Sequence, residues 1–99
     1  SQTQYNALSV RLELQADCLA GVWANQAQNA RQILESGDVE AAMNAAAKIG
    51  DDALQRSQGG AVVPESFTHG SSAQRQKWFS TGLRSGSLKA CDTFNAKVL

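Results

Sequence analysis

From Ala7 to Ala30 the chain runs without a proline and is rich in Ala, Leu, Gln and Arg, residues that give up little on entering a helix. Within this stretch Leu8, Leu12, Leu19, Val22 and Trp23 recur at helical spacing. A helix of that length dominates a chain of 99 residues, and Asn6 or Ser9 can cap its start. Whatever else folds must pack against it.

The remainder reads as shorter helices separated by glycines. Asp38 is a good N-cap, Val39, Ala42, Met43, Ala46 and Ile49 keep a helical period, and Gly50 stops the second helix. A third piece opens at Asp51 and Asp52, where Asp52 and Gln55 have capping-box spacing, and ends near Gly59 and Gly60. Residues 59–72 then form a loop that is long for so small a domain, and long ordered loops tend to carry function. Ser71 and Gln74 make a second capping box before a helix over Ser72 to Arg84, which Gly86 ends and in which Trp78 and Phe79 read as core. One more turn is expected around Leu88 to Asp92, after which order should decay. No alternating strand competes. The expected fold is all-α, a single helical domain over residues 1–99 with a long first helix and a long loop before the last major one.

Charge excludes some partners. Nine basic residues balance nine acidic ones, so no net field draws nucleic acid or an anionic membrane, and Arg75, Lys77, Arg84 and Lys89 read as a solvated face. No apolar run approaches the roughly 18 residues of a spanning helix, and the polar Ser1–Asn6 segment does not resemble a signal peptide. Cys18 and Cys91 belong to no C-x-x-C pattern. They are either two buried thiols or a disulfide closing a long loop, the latter contributing on the order of 4 kcal/mol.

Two acids stand out. Between Leu12 and Ala30 the only charged residues are Glu13 and Asp17, one turn apart on one face. Such a pair repels unless a cation or donor compensates it. The plain reading has both pointing to water with Arg11 or another base nearby. The functional one has Glu13 bind a metal while Asp17 orients a neighbouring ligand. Small residues, Ala16, Ala20, Gly21 and Ala24, let another backbone approach this helix. His69, the one histidine, precedes the Ser71 cap, where a neutral imidazole could donate to an oxyanion, and Arg75 could return to the same pocket; otherwise His69 is a solvated loop residue.

The segments Ser9 to Trp23, Phe67 to Arg75 and Ala90 to Phe94, with Gly37-Asp38, Ile49-Gly50-Asp51-Asp52 and Val63-Pro64 between them, resemble the neutral zinc metallopeptidases of bacteria over nearly the whole chain. In that family, as in other gluzincin-type peptidases, an upstream H-E-x-x-H helix supplies two zinc-binding histidines and a water-activating glutamate, and an E-x-x-x-D helix supplies the third ligand. The resemblance implies that Glu13 is that ligand and Asp17 the residue behind it. Thr68-His69 with Arg75 is similar to the T-H-P-x-x-x-x-R element of membrane-associated CaaX-type peptidases, with Gly70 in place of proline, which implies that His69 and Arg75 line the active site.

One histidine cannot make H-E-x-x-H, and a catalytic zinc takes three protein ligands. The chain is therefore expected to be the C-terminal part of a peptidase domain, inactive alone and without zinc, whose parent is membrane-anchored and extracytoplasmic. Its expected partners are a peptide or protein substrate, the missing N-terminal part of its own chain, and a second copy docking on an exposed Ala20/Gly21 face. The competing expectation is a helical interaction module without chemistry, in which Glu13 and Asp17 face solvent or pair with Arg or Lys.

Overall fold

The computed structural model describes residues 1–32 and 34–99. The fold is all-α: helices α1 (Gln2–Arg31), α2 (Asp38–Ile49), α3 (Asp51–Ser57) and α4 (Ser72–Ser85), with 3-10 turns at Pro64–Ser66 and Leu88–Cys91, and no strand among the described residues.

Helix α1 begins at Gln2 rather than Ala7. Ser1 caps it: its hydroxyl accepts from the Gln4 amide at 3.3 Å, and the Ser1 nitrogen donates to the Gln4 side chain at 3.2 Å. Asn6 and Ser9, expected as caps, lie inside the helix and donate to the Glu65 and Thr68 carbonyls at 3.1 and 2.8 Å, which ties the long loop onto α1. The first turn is polar and shows no hydrophobic period; only its S-x-x-Q spacing marks a start.

Which face of α1 is buried follows from how α4 fits against it. Val10, Leu14, Cys18 and Val22 form the core with Trp78 and Cys91, while Leu8, Leu12, Leu19 and Trp23 stay exposed. The helices meet at two glycines. A Cβ on Gly21 would sit 2.2 Å from the Phe79 carbonyl oxygen, and one on Gly82 would sit 1.8 Å from that of Cys18, so the backbones touch and no larger residue fits. Gly21 is thus buried against its own α4, not open to a second copy, although Ala20 remains exposed.

Cys18 and Cys91 are joined in a disulfide with Cα atoms 5.5 Å apart, which fastens α1 to the turn after α4. The tail beyond Asp92 does not fray as expected. Thr93 is fully buried, and its hydroxyl donates to the Arg11 carbonyl. The Arg11 guanidinium donates to the Thr93 carbonyl and, at 3.0 Å, to that of Ala96, while the Trp78 indole donates to Leu99 at 3.2 Å. These long-range bonds leave no local sequence pattern.

Helices α2 and α3 differ from expectation at their caps. Gly37 and Gly50 occupy the cap positions, and neither makes a side-chain cap bond. Gln55 closes no box with Asp52; it accepts from the Val63 amide and donates to the Ser66 hydroxyl, both at 2.8 Å, and so braces the loop. The two aspartates that open α3 reach to residues 69–72 instead.

Candidate functional site

Glu13 and Asp17 lie on α1 as their spacing requires, both half-buried. Their repulsion is compensated from α4, in whose first turn Arg75 stands. Its Nε and Nη2 each donate to one oxygen of Asp17 at 2.9 Å, a two-pronged ion pair with both side chains about 15% exposed. The hydrogen bonds that the guanidinium donates to Asp17 strengthen its charged form against the opposing effect of burial, and the charges of Asp17, Glu13 and Asp51 add to it. Arg75 therefore pairs with one carboxylate and is stabilised by the charge of two more. Arg11, the other base close to Glu13 in sequence, is spent on the tail carbonyls.

Asp17 and Arg75 are thus brought together, and the charge of Glu13 is felt by the same guanidinium without a direct contact to it. Glu13 itself makes no hydrogen bond or ion pair among the described residues. That contrast matters: of two acids one turn apart, one is locked and the other is available.

His69 is positioned by a residue that sequence reasoning treated only as a helix start. Asp51, buried at the beginning of α3, accepts from the His69 and Gly70 amides at 2.7 and 2.8 Å with one oxygen. Its other oxygen lies 3.4 Å from His69 Nδ1, and the Thr68 hydroxyl is 3.0 Å from the same nitrogen. The Asp51 amide returns the bond by donating to the Gly70 carbonyl at 2.8 Å. With Nδ1 so held, the imidazole is fixed in place while its ring stays half-exposed. Gly70 has φ of 101° and uses its amide, and proline could do neither, so the likeness to a T-H-P element stops at this residue.

Asp52 completes the clasp. It accepts from the Ser72 amide at 2.7 Å and the Ser72 hydroxyl at 3.0 Å. Burial by itself would raise the Asp52 carboxyl, but the Ser72 bonds, the Ala53 amide and Arg56 outweigh it and hold the group below its ordinary value. The signal for both roles was the Asp-Asp pair after Gly50, which by itself reads as ordinary N-terminal acid in a helix.

These side chains do not make a metal site by themselves. A catalytic zinc takes three protein ligands, and among the described residues no three His, Cys, Asp or Glu side chains converge to hold an ion. Nor does any of Glu13, Asp17, His69 and Arg75 line the cleft of about 300 Å³ formed by Asn6, Val10, Arg11, Glu65, Phe67 and Leu99. No described helix is long and apolar enough to cross a membrane.

Residues 1–94 match the family described as "Putative neutral zinc metallopeptidase". The chain is similar to the uncharacterized protein YpfJ of Escherichia coli K12, 53% identical over 98 residues that cover 99% of this chain and 34% of that protein. It is also similar to the uncharacterized protein Rv2575 of Mycobacterium tuberculosis H37Rv, 48% identical over 99 residues, 91% of this chain and 34% of that protein. The chain thus spans about one third of the length of these relatives. No solved structure matches it.

Proposed function

The chain belongs to the neutral zinc metallopeptidase family, and on that footing we propose that it is the C-terminal part of a peptidase that hydrolyses peptide bonds, to which it contributes one zinc ligand, Glu13. The observation that carries this reading is the asymmetry of the acid pair. Asp17 is neutralised by Arg75, which leaves Glu13 half-buried and without a hydrogen-bond or ion-pair partner among the described residues, the state expected of a carboxylate that awaits a cation. The remaining ligands, including both histidines, belong to sequence outside these 99 residues, since one histidine is all this chain has.

In this reading Arg75 acts through Asp17. It keeps a second negative charge from destabilising Glu13 and fixes the Asp17 carboxylate, whose free lone pairs can still accept from an imidazole. His69, held through Asp51, faces the substrate as a hydrogen-bond donor. The chain alone is inactive and does not retain zinc. The disulfide supports an extracytoplasmic location, because such bonds persist in oxidising compartments, and a membrane-anchored parent fits the same assignment.

The test compares zinc content and casein cleavage by the full-length protein and its Glu13→Ala variant. We expect zinc retention and cleavage to fall by roughly 100-fold or more, with a smaller loss for Asp17→Ala, about 10-fold to 100-fold. Equal activity and zinc content in wild type and Glu13→Ala would remove Glu13 from the site. A second reading, a helical interaction module without chemistry, is favoured by one observation, the pairing of Asp17 with an arginine. It predicts no zinc and no cleavage in the full-length protein.

A further inference from the structure

The face of α1 turned away from its core is apolar and bare. Tyr5, Leu8, Leu12, Leu19 and Trp23 follow one another at helical steps along one line, and they are 68, 57, 57, 40 and 64% exposed. Exposed Ala16 fills the gap between Leu12 and Leu19. At about 1.5 Å per residue the stripe runs roughly 27 Å. Phe94 of the tail widens it at one end, lining a shallow groove with Tyr5, Leu8 and Leu12. At the other end Ala20 and Trp23 share an apolar groove with Val39 and Phe79. Single exposed leucines need no explanation, but a continuous line of large side chains does.

The molecule's shape points the same way. Its Cα extents are 43 × 30 × 15 Å, so it is elongated and flat. The radius of gyration is 14.2 Å, where a compact chain of this length has about 12.6 Å. The matched relatives are about three times as long, which supplies further chain to cover this face.

We infer that in the full-length protein the Tyr5-to-Trp23 stripe is the docking surface for an amphipathic helix drawn from the sequence outside these 99 residues. The inference goes beyond the peptidase reading and stands without it. It differs from docking at Gly21, which α4 already occupies. Glu13, next to Leu12, lies at the border of the stripe, so a helix seated there passes beside its carboxylate.

The experiment places the photocrosslinker benzoylphenylalanine at Leu12, and separately at Leu19, in the full-length protein, and maps the links by mass spectrometry. The expected result is an intramolecular link from both positions to one segment outside these 99 residues. A link to a second copy, a link to lipid, or no link at all overturns the proposal. As an independent readout, the double substitution Leu12→Asp, Leu19→Asp should lower the melting temperature of the full-length protein by roughly 5 °C or more, and an unchanged value overturns the proposal as well. Neither readout uses activity, so a failed peptidase assignment leaves both intact.

Discussion

Helices α1 and α4 are held in one way, α2 and α3 in another. Between α1 and α4 the backbones touch at Gly21 and Gly82, a disulfide crosses to the following turn, and apolar side chains fill what space remains. Helix α2 has no fully buried residue; its inner face, Ala42, Met43, Ala46 and Ala47, is half-buried. It is tied to α4 by polar bonds: the Ser72 hydroxyl donates to the Ala47 carbonyl at 2.6 Å, and the Gln76 side chain donates to that of Met43 at 3.0 Å. Helix α3 follows through Asp51 and Asp52. The first pair is stabilised by exclusion of water and by covalent closure, terms that act on the whole fold. The second depends on hydrogen bonds of about 1 kcal/mol each, so it can open while the first stays closed. The candidate site draws on both: Glu13, Asp17 and Arg75 stand on the rigid pair, and His69 is presented by the clasp.

Three perturbations test this division. Replacing Cys18 and Cys91 together by alanine should cost about 4 kcal/mol in denaturant unfolding, because the bridge spans 73 residues, and it should lower the whole transition. A loss under about 1 kcal/mol would mean that the rigid pair needs no covalent help. Gly82→Val should cost about 3 kcal/mol or more, since its Cβ would overlap the Cys18 carbonyl and push the helices apart. An unchanged midpoint would refute the backbone contact.

The smallest effect belongs to the polar clasp. Asp52→Asn should cost about 1 kcal/mol at neutral pH and appear in hydrogen exchange as faster opening of α2 and α3, with α1 unchanged. The sign with pH follows from the lowered carboxyl: its contribution is complete above the ordinary value of 3.8 and disappears as pH falls through the lower folded value. The difference between wild type and variant should therefore shrink toward zero in strong acid. A constant difference across that range would assign the effect to packing instead of charge.

Much of this architecture is legible along the chain. Helical period and glycine breaks placed α1, α2, α3 and α4 and the turn near Leu88, and the Ser71–Gln74 box opens α4 where its spacing said it would. The acid pair at Glu13 and Asp17 is an inescapable consequence of a helix with a period of 3.6 residues. Asp51 was not visible as a site residue, because its partners are amides from 18 and 19 residues further along.

Local residue order, then, determined that this protein is helical, where its helices begin and end to within a turn or so, and that two carboxylates share one face of the longest. Only the tertiary structure decided which apolar line of α1 became core, which acid Arg75 would neutralise, and that Cys18 would meet Cys91. The reason is physical: periodicity and capping are set by neighbours a turn apart. Burial and pairing depend on which surfaces fit, and here two glycines on different helices allowed one fit and left Tyr5 to Trp23 uncovered.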